Sequence, residues 1–166
     1  MPYRVDVSPS NRAVCQDSVC KHLKKTIPKG ELRFGSWLEF GDRGSFKWKH
    51  WGCVSGKQMQ ALQEAAKRGD GFDFDAVDGY DEMGDHPEFQ AKVREAVELG
   101  HIPPEDFNGD PEFNVPGKSG IRSAQKVKQL KAGETSEVDD DANDLDGTVR
   151  FVRRAQGSRQ LTFYLL

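Results

Sequence analysis

The sequence predicts an α+β chain in which a small folded domain at the front is followed by a helical extension and a largely disordered charged tail. Three observations predict this class. All three cysteines lie in the first third of the chain. Two strand-like segments and then two helical patterns occupy residues 31–100. Beyond them, charges occur in blocks of one sign, which is typical of solvated chain.

The cysteines and one histidine have the spacing of a zinc site. Cys15 and Cys20 are separated by four residues, and after 29 further residues His50 and Cys53 are separated by two. Two close pairs supply the four nitrogen and sulfur ligands that tetrahedral zinc requires, so we expect one structural zinc ion on this set. His22 is an alternative ligand, but choosing it would leave His50 without a role beside Cys53.

Two other interpretations of the cysteines explain fewer of the observations. Unrelated buried cysteines are common in folded cores. Disulfides would leave one thiol over, and the first residues, Met-Pro-Tyr-Arg-Val-Asp, lack the apolar region of a secretory signal. We therefore expect a reducing, intracellular setting. The front domain then becomes a zinc-stabilised finger, made of an antiparallel hairpin plus a helix.

The hairpin is predicted by residues 31–40 and 45–50, which flank a turn cluster at 41–44. At period two, Phe46 and Trp48 share one face, whereas Lys47 and Lys49 share the other. This pattern predicts an apolar inner face and a cationic outer face. Because a domain of about 50 residues has little core of its own, we expect the aromatic side chains to pack around the metal and the metal to be the main core.

Two helices are expected after the metal ligands. Ser55 has the chemistry of an N-cap for a helix over 56–67. Asp85 is the expected N-cap of a second helix, with Pro87 in its first turn and Gly100 as its end. The acidic, aromatic residues 70–80 between the helices do not match a calcium loop in any frame, so we interpret them as a connector.

These patterns divide the chain into a finger at 3–68, an acidic connector and helical extension at 69–113, and a flexible charged tail with a hydrophobic C-terminus at 114–166. Residues 118–131 carry five Lys/Arg and no acid, and residues 134–147 carry seven acids and no base. The apolar residues within 148–166 fit either a hairpin or a segment that docks on a partner.

Charge is divided unevenly along the chain. Residues 1–70 have 13 Lys/Arg and 7 Asp/Glu, a net of +6, whereas residues 71–166 have 11 and 20, a net of −9. A basic front half favours a polyanionic partner. The chain has a mean hydropathy of −0.74 and no apolar run near the ~20 residues of a membrane helix, so no membrane partner is expected.

Three motifs carry a family resemblance: Asn-Arg-Ala-Val-Cys at 11–15, Ile-Pro-Lys-Gly-Glu-Leu-Arg at 27–33 and Trp-Lys-His-Trp-Gly-Cys at 48–53. Together they resemble the zinc finger of poly(ADP-ribose) polymerases and of DNA ligase III, a module that senses nicks and breaks. The likeness covers residues 3–68. The rest of the chain does not resemble a polymerase or ligase catalytic domain, and residues 80–113 resemble the helical extension of finger-only proteins in filamentous fungi.

The resemblance implies zinc on Cys15, Cys20, His50 and Cys53, with Arg12 and Arg33 facing the DNA phosphates. The chain departs from the family at two places. Four residues rather than two separate the first cysteines, so the first ligand turn must be wider. The loop at 39–45 is also shorter than in fingers that stack apolar side chains on an exposed base.

The cations of the front half support the same interpretation on physical grounds. In so small a domain several of them must share a face, and each phosphate that they neutralise releases counterions. Phe40, near the hairpin tip, is our candidate for stacking on an unpaired base. A single lysine can equally serve solubility alone. These cations include Arg12, Lys21, Lys24, Lys25, Lys29, Arg33, Arg43, Lys47 and Lys49.

We therefore expect a nuclear, non-enzymatic finger that recognises duplex ends, nicks or gaps in DNA through backbone and shape. The alternative is a zinc-stabilised protein-interaction module without useful DNA affinity, which docks through its acidic tail or its C-terminal segment. Salt distinguishes the two, because phosphate contacts weaken steeply with salt and apolar interfaces do not. A Cys3His site has no open metal position, which argues against an enzyme.

Overall fold

The computed structural model describes residues 2–133 of the chain, and residues up to Val127 form one compact unit. The acidic block at 134–147 and the C-terminal segment at 148–166, which were predicted to be tail, lie outside the described residues. In chain order, the main elements are β1 (Tyr3–Val7), α1 (Ser18–His22), β2 (Leu32–Phe40), β3 (Arg43–His50), α2 (Gly56–Ala66), β4 (Lys67–Arg68), β5 (Gly71–Phe72) and α3 (Pro87–Leu99).

The first three strands form one antiparallel sheet in the order β1-β2-β3. The predicted hairpin is confirmed, with Trp37 opposite Phe46 and Phe40 opposite Arg43. Only Gly41 and Asp42 lie between the strands, and Gly41 takes a left-handed φ of 61° that closes the turn. The strand β1, which pairs Val5 with Phe34, was not predicted.

The faces of the sheet differ from the prediction. Phe34 faces the core together with Val5, and both are fully buried. Trp48 lies opposite Gly35, so it shares the other face, and Lys49, opposite Phe34, shares the core side of β3. The aromatic face of Phe46 and Trp48 is therefore not the inner face. The cause is β1 with the helices, which cover the Phe34 side of β2.

The largest buried cluster joins the sheet to α2 and α3. Phe34 packs in it with Leu62 from α2 and Val97 from α3. A smaller cluster surrounds the metal ligands and includes Ile27 and Ile121. The expectation that the metal is the main core is therefore wrong, because the helical extension contributes its own apolar face to the finger. The core also crosses the boundary that we placed at residue 68.

The helices begin and end close to the predicted residues. Ser55 caps α2 and forms a capping box with Gln58. The N-cap of α3 is His86 rather than Asp85, and Gly100 ends the helix with a left-handed φ of 82°. Gly69 lies in the turn between β4 and β5. Within residues 2–133, no helix is long and apolar enough to cross a membrane.

Residues 114–127 require a correction, because they were predicted to belong to the flexible tail. Ile121 is 3% exposed, and the carbonyl of Lys118 accepts a hydrogen bond of 2.8 Å from the backbone of Lys57. Arg122 pairs with Asp17 at 3.0 Å. A block of one charge sign indicated solvated chain, but one apolar residue and one paired arginine anchor this segment. Residues 124–133 are helical.

Candidate metal centre and nucleic-acid interface

The metal centre is built from two ligand pairs on different elements. Cys15 precedes α1 and Cys20 lies within it, whereas His50 ends β3 and Cys53 lies in the short 3-10 turn Trp51–Cys53. The carboxylate of Asp17 accepts hydrogen bonds from the backbone of Val19 and Cys20, at 3.2 and 3.4 Å. This N-cap makes the wider Cys-x4-Cys turn into one helical turn that aims Cys20 at the other ligands.

The four predicted ligands come together. Their ligand atoms all lie within 4.8 Å of one another. Cys20 Sγ is 3.9 Å from both His50 Nδ1 and Cys53 Sγ, and Cys53 Sγ is 3.8 Å from His50 Nδ1. A tetrahedron with usual zinc bond lengths has edges of roughly 3.5–3.8 Å, so the cluster fits one structural zinc ion.

The orientation of His50 also suits a metal ligand. Its Nε2 donates to the carbonyl of Thr26 at 3.0 Å, which fixes the ring with Nδ1 facing the cysteines. Hydrogen bonds to Cys15 and Cys20 raise the pKa of His50 to about 10. The Cys15 thiolate accepts hydrogen bonds from Cys20 and Cys53, which hold its pKa far below its ordinary value. Three cysteine sulfurs and one imidazole nitrogen, held this close together, are the kind of donor set that structural zinc takes.

A second feature is an open groove of about 510 Å³ on the Phe34 side of the hairpin, beyond the buried core. Phe40 and Leu38 are its apolar part, and they are 55% and 46% exposed. Lys47 Nζ lies 5.1 Å from the centroid of the Phe40 ring. The groove is lined by Gln16, Lys21, Ser36, Leu38, Phe40, Lys47, Lys49 and Gln58.

The groove is cationic and locally ordered. Three of its lining residues are lysines and none is acidic. Lys49 Nζ donates to Gln58 Oε1 at 3.0 Å, and Gln58 Nε2 donates to Ser36 Oγ at 3.0 Å. Because Gln58 belongs to the α2 capping box, these contacts fix the lysine against the start of a helix. The arrangement combines an apolar tip with fixed positive charge.

The other predicted DNA contacts lie elsewhere. Arg12 and Lys29 are both exposed, on adjoining segments that are joined by a 2.6 Å hydrogen bond from Lys29 N to Asn11 Oδ1. Neither residue lines the groove. Arg33 is 8% exposed, and its guanidinium pairs with Asp6. Its contact with phosphate stays a prediction, because the group already has partners within the sheet.

The sequence around the metal ligands is similar to a known protein family. A family profile described as "Poly(ADP-ribose) polymerase and DNA-Ligase Zn-finger region" matches residues 6–97. The chain belongs to this zinc-finger family. As a PARP-type zinc finger, it carries one structural zinc on its Cys3His cluster. The chain is thus a zinc-binding module of a family that is associated with DNA binding.

Two relatives of Schizosaccharomyces pombe bear the same description, PARP-type zinc finger-containing protein. One is 36% identical over 136 residues, which is 81% of this chain and 51% of the relative. The other is 33% identical over 104 residues, which is 63% of this chain and 59% of the relative. The chain thus spans about half to three fifths of the length of these relatives.

Several residues of the two sites were not singled out from the sequence of this PARP-type finger. Leu38 was interpreted only as a strand residue, although its position two residues from Phe40 puts both on one face. Asn108 contacts Cys53 from the extension, 55 residues away, and no local pattern indicates this. Arg122 was counted as part of a solvated basic block. Long-range polar contacts of this kind leave no periodic signal.

Proposed function

We propose that this PARP-type finger is a nuclear, non-enzymatic protein that binds DNA at duplex ends, nicks or gaps through backbone and shape. The observation that carries the proposal is the juxtaposition of Phe40 and Leu38 with Lys47 and Lys49 around one groove. An exposed apolar tip and fixed cations on the same face are what a broken duplex end requires.

The apolar tip favours broken DNA over intact DNA. In an intact duplex the bases are stacked and offer no free face to Phe40. At an end, nick or gap one base face is open, and covering it with an aromatic or apolar side chain contributes about 1–3 kcal/mol. Phe40 and Leu38 are both more than two-fifths exposed and have lysine beside them. This exposure fits contact with a base better than it fits packing within the protein.

The cations supply affinity that is independent of base sequence. Lys21, Lys47 and Lys49 line the groove without a neighbouring acid among the lining residues. Phosphates that these groups neutralise release counterions, which makes binding steeply salt-dependent. The exposed residues Arg12 and Lys29 add positive charge outside the groove, on two segments that adjoin each other. Contacts with phosphates and with an open base face depend on the shape of the DNA and not on its base sequence.

The proposal of a non-enzymatic role rests on the metal centre. All four positions of a tetrahedral zinc ion are taken by Cys15, Cys20, His50 and Cys53, so no position is open for substrate or water. The groove residues are lysines, glutamines, a serine and apolar side chains, which do not form an acid-base or nucleophile arrangement. The zinc therefore acts through structure.

The test is a fluorescence-anisotropy titration of the zinc-loaded protein against intact, nicked and blunt-ended duplexes of one sequence, each at several salt concentrations. Covalently closed dumbbell DNA serves as the intact substrate, because a linear duplex has ends of its own. We expect tighter binding to the nicked dumbbell than to the closed one, and a loss of affinity as salt rises. Equal affinities would remove the break specificity but leave DNA binding.

The competing function is a protein-interaction module, and one observation favours it. Trp37 is 38% exposed on the face opposite the groove, where it packs edge-to-face on Phe46 at 5.0 Å. An aromatic surface of this kind suits a protein partner. The titration separates the two functions, because a module of this class would bind none of the duplexes. A partner for the acidic tail or the C-terminal segment stays a prediction outside the described residues.

A further inference from the structure

The metal cluster is covered by a segment outside the matched finger region. The family profile ends at residue 97, but residues 107–122, which we name the clamp, pack against the ligands. Ile121 belongs to the same buried cluster as Cys15, Cys20 and Cys53, and Phe107 packs on its edge. The clamp is held closed by a hydrogen bond of 2.8 Å from the backbone of Asp110 to the carbonyl of Ile121.

Asn108 attaches the clamp to the second ligand pair. Its Nδ2 donates to Cys53 Sγ at 3.5 Å, and its backbone N–H donates to the carbonyl of Gly52 at 2.8 Å. A Cβ added to Gly52 would lie 2.7 Å from Asn108 Nδ2 and 2.2 Å from the carbonyl oxygen of Asp106, just before the clamp, so only glycine leaves room for this close packing. A donor on a zinc-bound thiolate stabilises its negative charge.

Arg122 attaches the clamp to the first ligand pair. Its Nη1 donates to Asp17 Oδ2 at 3.0 Å, and its Nη2 donates to the carbonyl of Asn108 at 2.8 Å. The same Asp17 oxygen caps α1 at Cys20. The side chains of this ion pair are only 11% and 9% exposed. Removing one partner would leave the other as a buried unpaired charge, which is strongly destabilising.

We propose that the clamp is an integral part of the metal centre, in which Asn108 and Arg122 are positioning residues that retain the zinc ion. Zinc is released more readily once the Cys15–Cys20 pair can move away from the His50–Cys53 pair. The chain of contacts Asp17–Arg122–Asn108–Cys53 spans the two pairs, so it must break before they separate. The retention of zinc thus depends on the extension as well as on the finger.

The first test measures zinc release from the full chain. Asn108→Ala and Arg122→Ala proteins are mixed with excess 4-(2-pyridylazo)resorcinol, and the rate of zinc transfer is followed by absorbance. We expect release faster than from the parent by about tenfold or more, the range typical of contacts that orient metal ligands. Arg122→Lys keeps the charge and should restore part of the retention.

Matched controls separate a positioning role from general stability. Gln63 Nε2 donates to the carbonyl of Val97 at 2.7 Å, where α2 meets α3 and outside the clamp, so Gln63→Ala removes an equivalent hydrogen bond. Arg4 pairs with Asp78 and Glu82, so Arg4→Ala removes a paired arginine outside the clamp, at a site more exposed than that of Arg122. Both control proteins should release zinc at the parent rate. Equal acceleration in controls and clamp variants would overturn the proposal.

A spectroscopic test reports on the Asn108 contact itself. In the cobalt-substituted protein, loss of the hydrogen bond to Cys53 raises the energy of the sulfur lone pairs, so the thiolate-to-cobalt charge-transfer band should move to lower energy in Asn108→Ala. Gln63→Ala should leave the band in place. If Asn108→Ala fails to fold, Asn108→Asp replaces the donor with an acceptor of the same size and should release zinc faster still. An unmoved band, or parent-like release from Asn108→Asp, would contradict the proposal.

Discussion

The guanidinium of Arg33 lies 3.6 Å from the centroid of the Trp48 ring, on the face of the sheet opposite the core. Its Nε also donates to Asp6 Oδ2 at 3.1 Å. Arg33 therefore connects all three strands, since Asp6 belongs to β1 and Trp48 to β3. Gly35 makes this possible, because a Cβ there would lie 2.7 Å from the Trp48 ring. Arg33 also lies opposite the metal ligand His50.

The first prediction concerns the stability of this sheet. Arg33→Ala removes a stacked cation and a charge-assisted hydrogen bond, so we expect the free energy of unfolding to fall by about 2–4 kcal/mol. Chemical denaturation of the zinc-loaded protein measures the change. Arg68→Ala is the control, because Arg68 and Asp73 form an exposed pair at 4.0 Å and should contribute little.

The same variant decides between two roles for Arg33. If Arg33→Ala is as stable as the parent but binds every duplex more weakly with a flatter salt dependence, Arg33 contacts phosphate directly, as the family resemblance implies. If the variant is less stable, but the folded part of it binds DNA with the same salt dependence as the parent, Arg33 acts by holding the strands together. The structure favours the second outcome, because the group is 8% exposed.

The zinc ligands are the part of the site that sequence predicts best. The chain has only three cysteines, and their spacing leaves few complete sets of four ligands. The strand β1 is harder to predict, because it has only five residues and its partner β2 lies about 30 residues away, although Tyr3, Val5 and Val7 alternate with Arg4 and Asp6 at period two. Arg33 shows a further limit. Its burial depends on stacking against Trp48, which lies on the neighbouring strand opposite Gly35. The residues around Arg33 in the sequence do not indicate this contact.

Loss of the metal should unfold one part of the chain before the other. Cys53→Ser removes a ligand, so the purified protein should contain no zinc by elemental analysis. Because the larger core lies between the sheet, α2 and α3, hydrogen exchange should leave the amides of Val93 and Val97 protected while those around Cys20 and Ile27 exchange rapidly. His22→Ala is the control and should retain zinc. Zinc loss in that variant would reopen the choice between the two histidines.

The exposed apolar residues of the groove, Phe40 and Leu38, should control the preference for broken DNA. Phe40→Ala and Leu38→Ala remove the side chains that cover an open base, so the preference for nicked over closed dumbbell DNA should fall by about 1–3 kcal/mol, with the salt dependence unchanged. Leu99→Ala is the matched control, because Leu99 is 50% exposed on α3. A preference that survives the loss of both tip residues would place break recognition elsewhere.

The groove lysines should control affinity for every duplex. Lys47→Gln together with Lys49→Gln removes two charges. The slope of log Kd against log salt concentration should therefore fall by about 1.8, and binding to intact and nicked DNA should weaken alike. Lys67→Gln is the control, because Lys67 is exposed in β4 and does not line the groove. A slope equal to that of the parent would exclude both lysines from phosphate contact.

The central claim is that zinc organises a surface which recognises broken DNA, and one competition experiment tests it most directly. Zinc-loaded protein on a labelled nicked dumbbell is competed with unlabelled closed or nicked dumbbell, before and after removal of zinc by a chelator. The account predicts that the nicked competitor is the more effective one, and that chelation weakens binding which added zinc restores. Equal competition by both DNAs, or binding that chelation leaves unchanged, would contradict it.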